Sequence, residues 1–579
     1  MYNMNCMSES NNLYLIFSLL IIIFGLVVAY FNIFSKDIEY SKHYIIMRFI
    51  KMLPYLLFYI ASFLLYLEAG NNLGVSLFNG IGSFFRVTLD CNESIYIKVM
   101  NTFATILLIN ALVPSLRNFI KLCICFILEK FFHKQIYVLH GDNNTSKIIR
   151  HNFEENNLLV IEVDKKNEKF YHNFDNHIIA YDSEDANMKM AVLINDVNTD
   201  ASLYVLSSSC DSTLFMRNTI NIIDKNELAI KEFWKSYGKE IYDKLKNKSF
   251  QNCRITIVGS NEIAYNMYLH VLKNCIYDLG QSININVITT FFDKNNYELA
   301  DKSIVDKMTN DTITIDSLNY SSVFKMQESD VVIITDKSLL SKIAIKYRYG
   351  QLVYLYDSNF NREDYIRSNR SNEKENNIRP FGADSVTLTV ENIIDNEDTD
   401  YAKKAYFGYK KGKEYIYDPK NQPIDQNDIN KLWVDIPDNI IYNMNSNYCV
   451  SDYWQFRKYI NEYIQKKYVD NKKCEEVLAM LEHIHWCRVT YLEGFRYYKE
   501  YKLNDDLLAR IEKYRVRKEG TEEEKSDKES TDVEMKNYKL HNDLRAFDFE
   551  KDHEELEKDT NIYSLIDYLK ETIKDNDNK

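Results

Sequence analysis

Polar and aromatic side chains that could bind a ligand concentrate near the C-terminal end of the sequence, in residues 474–498. The apolar residues of this segment recur at helical spacing and Gly494 follows them, which predicts a helix that ends there. The candidate ligand-binding residues, including one from a polar run further along, are Glu482, His483, Trp486, Arg496 and His541. An indole face can stack on a ring, while charged and imidazole groups can hold polar atoms.

The same residues offer little for catalysis or metal binding. His483 and His485 are two positions apart on a helix, so their rings point about 200° apart rather than toward one ion. No cysteine spacing suits a zinc site, and no nucleophile motif such as GxSxG occurs. We therefore predict that the chain is not an enzyme, with no catalytic residue and no metal site. The alternative role for His483 is a buried histidine bonded to a carboxylate, Glu482 or Asp559.

Two segments, 134–245 and 252–360, alternate short apolar runs with helical patterns, which predicts a parallel α/β sheet in each. In both, the turn after the first strand keeps only the first glycine of GxGxxG, Gly141 and Gly259. Asp164 follows the second strand, where dinucleotide-binding folds place a ribose-binding acid. These three residues are the nucleotide-binding candidates, and a nucleotide is the one candidate cofactor. The alternative is that both units are packing scaffolds.

The first 131 residues predict a membrane region. Residues 13–34 carry no charge and, at the helical rise, extend roughly 33 Å, enough for the hydrocarbon core. Further spans are predicted at 45–67 and 99–120, with a re-entrant or interfacial helix at 73–89. The distribution of Lys and Arg predicts an N-terminus outside and soluble domains in the cytoplasm. We therefore expect a plasma-membrane protein with the lipid bilayer as a partner.

Chain length and net charge limit the number of domains and the kind of partner. A chain of 579 residues exceeds a single core and predicts three or four domains. The predicted fold class is N-terminal transmembrane helices, then two Rossmann-like α/β units, a connecting region at 361–450 and an α-helical domain at 451–579. Within that last domain, a charged insert at 504–537 predicts disorder. The net charge of -13 argues against a nucleic-acid partner, because phosphate contacts need a basic face.

The order of these parts resembles known families. The run KQIYVLHGDN after the predicted membrane helices is similar to the TrkA-N, or RCK N-terminal, domains that regulate potassium transport, with two copies over residues 134–360. CEEVLAMLEHIHWCRVTYLEGFRYY and HNDLRAFDFEKDHEELEKD together resemble the ryanodine receptor repeat (RyR) domain. His485 and Phe495 depart from that pattern, which has Arg and Trp there. IRPFG and DYAKKAYFGY are similar to the connecting segment of prokaryotic proteins that join such parts.

The resemblance implies a membrane-anchored ligand sensor. Its RyR-like domain would bind a small polar molecule, such as one derived from a nucleotide, with Trp486 as a stacking face and Arg496 and His541 as polar contacts. The TrkA-like units would pass the change to the membrane helices. An ion channel or potassium-transport protein is the first alternative, and a non-catalytic membrane scaffold is the second. Because TrkA-like units commonly pair, a homo-oligomer is expected.

Overall fold

A computed structural model describes part of the chain. The described residues are 56–57, 59–64, 66–67, 72–85, 114–163, 168–207, 220–290, 309–317, 326–336, 351–360, 378–395, 402–407, 431, 440–500, 502–516, 521–541 and 543–545. Internal contacts divide the chain into two units, residues 1–138 with 161–176 and residues 139–160 with 177–579.

The membrane part of the predicted fold class is wrong for the described residues, where no helix is both long and apolar enough to cross a bilayer. Helix α1 (Leu73–Phe85) lies within the predicted re-entrant segment and has only 13 residues. Helix α2 (Pro114–Phe132) overlaps the third predicted span but carries four charged residues, which are costly in hydrocarbon. The first predicted span, most of the third and the first part of the second lie outside the described residues. The fold described is mixed α/β.

Five strands form the first sheet, in the order β2-β1-β3-β4-β5. They are β1 (Ile136–His140), β2 (Leu159–Glu162), β3 (Asn176–Ile179), β4 (Ser202–Ser207) and β5 (Ile220–Asp224). Along the chain they alternate with the helices α3 (Asn144–Glu155), α4 (Glu168–Tyr171) and α5 (Glu184–Val197). Strands β4 and β5 pair in parallel, and β1 is buried along its whole length. This strand order is that of flavodoxin-like doubly wound sheets.

Six strands form the second sheet, in the order β11-β10-β9-β6-β7-β8, with every pairing parallel. They are β6 (Cys253–Val258), β7 (Ile283–Thr289), β8 (Thr312–Ser317), β9 (Val331–Ile334), β10 (Leu352–Tyr356) and β11 (Ile378–Phe381). Helix α6 (Lys225–Lys246) precedes this sheet, and α7 (Glu262–Asn274) follows β6. Counted from its own first strand, the sheet has the Rossmann order 3-2-1-4-5-6. Both sheets are therefore compatible with the predicted Rossmann-like units.

The C-terminal helices share one hydrophobic core with the second sheet. After the short α8 (Asp384–Thr387) come α9 (Ile440–Lys467) and α10 (Asn471–Leu492), whose buried apolar residues belong to the same cluster as those of α6, α7 and β6. Trp234 of α6, 1% exposed, packs edge-on against Phe456 of α9 at 5.5 Å between ring centroids. The second sheet and these helices therefore fold as one packed body.

The charged insert is helical in the described residues, so the predicted disorder is wrong there. It forms α11 (Asp505–Val516) and α12 (Glu522–Asn537), followed by β13 (Leu540–His541), which pairs in parallel with β12 (Arg496–Tyr497). Thr521 and Glu524 form a capping box at the start of α12. A small core that includes Leu507, Ile511 and Met535 holds the two helices together. This burial stabilises a segment whose composition alone would not fold.

Candidate functional site

Helix α10 carries most of the predicted ligand-binding residues and has two different faces. Asp470 caps its start by accepting a hydrogen bond from the Lys472 backbone N–H. The helix ends before Gly494, whose positive φ of 90° is suited to glycine. Nearly every residue of its second half is buried, so its polar side chains must find partners within the protein.

Three of the five predicted ligand-binding residues come together. The rings of His483 and Trp486 stack with centroids 5.8 Å apart and planes at 25°, as their spacing of three positions allows. His541 of β13 meets Trp486 edge-on at 4.9 Å. His483 is buried, whereas Trp486 is partly exposed and the His541 side chain is 21% exposed. We call His483, Trp486 and His541 the aromatic triad.

Backbone groups hold both histidines of the aromatic triad in place, and one of them, His541, is uncharged at neutral pH. The Nε2–H of His483 donates to the carbonyl of Arg545 over 2.9 Å, and the Asp543 backbone N–H donates to Nδ1 of His541 over 3.1 Å. Burial, with a smaller contribution from Lys536, lowers the pKa of His541 to about 4. His541 is therefore neutral at pH 7, with its proton on Nε2. His483 is buried, as the buried-histidine alternative requires, and its Nε2 bonds to the Arg545 carbonyl; Asp559, one of the two carboxylates predicted as its partner, lies outside the described residues.

Glu482 points into the core instead of toward the triad, because consecutive helix residues are about 100° apart. It forms a buried ion pair with Arg457 of α9 and lies 3.7 Å from Nδ1 of His485. Burial raises the pKa of Glu482, but the charge of Arg457, with a smaller contribution from His485, outweighs it and leaves that pKa below its ordinary value. Burial lowers the pKa of His485. In this arrangement Glu482 joins α9 to α10.

Arg496 also has structural partners. Its guanidinium donates to the carbonyls of Tyr491 and Phe495 over 3.0 and 2.8 Å, at the C-terminal end of α10, and lies over the Tyr491 ring at 5.6 Å. In the β12–β13 ladder Arg496 pairs with Leu540, while Tyr497 pairs with His541. Because side chains alternate along a strand, Arg496 and His541 lie on opposite sides of this ribbon.

The sequence reasoning missed the buried cation that ties α10 to the second sheet. Arg488, 1% exposed, donates to the Leu272 carbonyl, to Oγ1 of Thr309 and to Oδ2 of Asp311 over 3.1, 2.8 and 2.7 Å. Asp311 also accepts hydrogen bonds from the Ile283 backbone N–H and from another side chain in the core. The sequence could have indicated this contact, because Arg488 lies between Cys487 and Val489 on a largely apolar helix. An arginine that is buried in such a helix needs a buried partner.

The first glycine turn lies between β1 and α3. Gly141 has a φ of 142°, and a Cβ at this position would come within 2.5 Å of the Ala180 carbonyl oxygen. Two residues later, the side chain of Asn143 accepts from the Ser146 backbone N–H over 2.7 Å and donates to the Ala180 carbonyl over 2.8 Å. It also donates to Asp182 over 2.8 Å. The turn is therefore held by the protein's own amide. Asp164 lies outside the described residues.

The second glycine turn, between β6 and α7, has the same construction. Gly259 has a φ of 156°, and a Cβ there would collide with the hydroxyl of Thr335. Asn261 accepts from the Ala264 backbone N–H over 3.0 Å and donates to the Thr335 carbonyl over 3.0 Å. The Thr335 hydroxyl donates back to Oδ1 of Asn261 over 2.8 Å. Both turns thus pair a glycine with an asparagine two positions later.

In the part of the chain that the structure describes, no group of three or more His, Cys, Asp or Glu side chains could hold a metal ion. Comparison with known proteins adds no family: no protein-family model matches the sequence, and no curated protein matches it significantly. The resemblances to TrkA-N and RyR domains therefore stay predictions.

Proposed function

We propose that this chain is a non-catalytic, ligand-binding regulator whose C-terminal helices bind a small anion of the nucleotide class, with its planar base against Trp486. The observation that supports this most is the aromatic triad, which joins residues 55 positions apart in the sequence around one partly exposed indole. We do not include in this proposal the membrane anchoring that the sequence predicted. The transport alternative depended on that anchoring.

The triad suits a ring-containing ligand because its indole is held rigidly. His483 stacks on Trp486 and is itself bonded to the Arg545 carbonyl, so the indole orientation is set before any ligand arrives. A preorganised aromatic side chain loses little conformational freedom on binding. Stacking of one base on such a side chain is worth about 1–3 kcal/mol.

The charges near the triad favour an anion. Lys536 acts electrostatically on His541, and Lys539 lies beside Gly494, donating to the Glu493 carbonyl. Since His541 is neutral at pH 7, it adds no charge of its own. Among the described residues, Asp543 is an acid beside the triad, with Oδ2 4.0 Å from Nδ1 of His541, and its side chain is 40% exposed. A base linked to a phosphate matches this combination of indole and lysines better than a cation does.

The test is thermal unfolding of the full chain with adenosine, AMP, GMP, ATP and NAD⁺, together with quenching of tryptophan fluorescence. We expect at least one nucleotide to raise the melting temperature and quench fluorescence, and adenosine to act more weakly because it lacks phosphate. Trp486→Ala removes the stacking face and should abolish both effects. Trp234→Phe, a change to a tryptophan buried in the core, is the matched control and should leave the ligand-induced shift intact.

Two results would count against the proposal. One is the absence of any shift across the panel at millimolar concentration. The other is a shift that persists unchanged in Trp486→Ala, which would place the ligand elsewhere in the protein.

A further inference from the structure

We infer that both Rossmann-like units are closed at their glycine turns by the chain's own side chains, so that neither turn takes the pyrophosphate of a dinucleotide. Folds with these strand orders bind dinucleotides in the crevice where the strand order reverses. In the first sheet that point lies between β1 and β3, and in the second between β6 and β9. Neither of these two crevices is formed by residues of the aromatic triad.

One asparagine spans each crevice. Asn143 follows β1 and donates to the Ala180 carbonyl just after β3, while Asn261 follows β6 and donates to the Thr335 carbonyl just after β9. Each side chain therefore joins the two strands between which a ligand would enter. In a dinucleotide-binding turn the corresponding position is a glycine, which lets the phosphate approach the backbone.

The same asparagines also use the helix N–H groups that would otherwise bind phosphate. Oδ1 of Asn143 accepts from Ser146, whose hydroxyl completes a capping box, and Oδ1 of Asn261 accepts from Ala264. A helix N-terminus binds an anion through such unsatisfied N–H groups. Here an amide oxygen of the chain already satisfies one of them in each helix.

The retained glycines have a packing reason that needs no ligand. The missing Cβ of Gly141 makes room for the Ala180 carbonyl, and that of Gly259 makes room for Thr335. In both cases the neighbour that would collide is the residue to which the asparagine is bonded. Glycine and asparagine therefore act together as a closure, and the glycine alone does not indicate a nucleotide site.

The first crevice carries a second closure. Asp384 of α8, with its side chain 5% exposed, forms an ion pair with Lys225 over 2.7 Å and is hydrogen-bonded by the side chain of Thr145 in the first turn of α3. Asn152 of α3 donates to the carbonyls of Ser385 and Leu388, which fixes α8 against this helix. Together these contacts occupy the start of α3, where a phosphate would otherwise approach the helix N–H groups.

The inference is tested by adding NAD⁺ and ADP to the full chain carrying Trp486→Ala, so that binding at the triad does not contribute. We expect no change in melting temperature at millimolar ligand. A concentration-dependent rise in this background would overturn the inference, whereas a rise seen only when Trp486 is present belongs to the triad and leaves the inference intact.

The closures are tested separately by Asn143→Ala and Asn261→Ala. Because each change removes a helix cap, it should lower the melting temperature by about 2–4 °C, the shift that corresponds to a lost cap in a domain of this size. Asn221→Ala, at an exposed position in β5, is the matched control and should change it little. Unaltered melting of both asparagine variants would show that the two amides do not hold the turns, and would also overturn the inference.

Discussion

Among the charged groups between α10 and the second sheet, we expect Arg488 to contribute most to the free energy of unfolding, and Arg488→Met tests this. Its guanidinium is 1% exposed and donates to three groups, including Asp311. Removing one partner of a buried ion pair costs about 3–5 kcal/mol, because the remaining charge stays buried. Here Asp311 keeps its hydrogen bonds from Ile283 and Gln281, so we expect the lower end, about 3 kcal/mol.

The assay is urea unfolding of the full chain, followed by tryptophan fluorescence. Trp234 reports on the core that the second sheet shares with α9 and α10. Adding Asp311→Asn to Arg488→Met neutralises the stranded carboxylate while preserving an acceptor for Ile283. The double variant should therefore be less destabilised than the sum of the two single variants.

Glu328→Gln is the control, because the Arg254–Glu328 ion pair is similar in length at 2.8 Å but its acid is 65% exposed. Exposed pairs of this kind contribute about 0–1 kcal/mol. If Arg488→Met unfolds at the same urea concentration as the wild type, the buried ion pair does not join α10 to the sheet and this reasoning is refuted.

Three further changes have defined outcomes. Burial raises the pKa of Asp224 to about 6, with smaller contributions from the charges of Glu227 and Glu262, so ionisation of this carboxyl makes the fold less stable as pH rises through that value. Asp224→Asn, which keeps the cap of α6, should therefore melt higher than the wild type at pH 7.5, and the difference should vanish as pH falls toward 4. Burial lowers the pKa of His541 to about 4, so the wild type should lose stability relative to His541→Gln as pH falls from 6.5 to 4, measured by melting temperature. Phe456→Ala should cost about 3–5 kcal/mol in urea unfolding, since it leaves a cavity against Trp234.

Short apolar runs in the sequence predict most strands of the two large sheets but not β5, β8 and β11, which lie at sheet edges. β1, β6 and β9 are short apolar runs buried along most or all of their length, and local composition identifies such runs. β5, β8 and β11 lie at sheet edges, and each is partly exposed with mixed polar residues, whereas the fourth edge strand, β2, is an apolar run. Their strand conformation comes from pairing with a neighbour, which propensity alone does not reveal.

The prediction that the charged insert at 504–537 is disordered is wrong for a related reason. Its composition is that of a disordered segment, and an isolated helix of this length is marginal in water. Burial of Leu507, Ile511 and Met535 against Tyr498 supplies the missing stability. The membrane prediction rested on apolar runs and on the distribution of Lys and Arg, and its first span lies outside the described residues. Helix α2, which overlaps the third predicted span, carries charges among its apolar residues, which makes a crossing costly.

By itself, the sequence determined that His483 and Trp486 share a face of a helix, because a spacing of three positions does so in any α-helix. It also determined that both glycine turns lack their middle glycine. Only the tertiary structure decided that His541 completes the triad while Glu482 turns inward to Arg457. Arg457 and Glu482 are 25 positions apart and Arg488 and Asp311 are 177, and contacts over such distances depend on how the helices pack on the sheet rather than on local spacing.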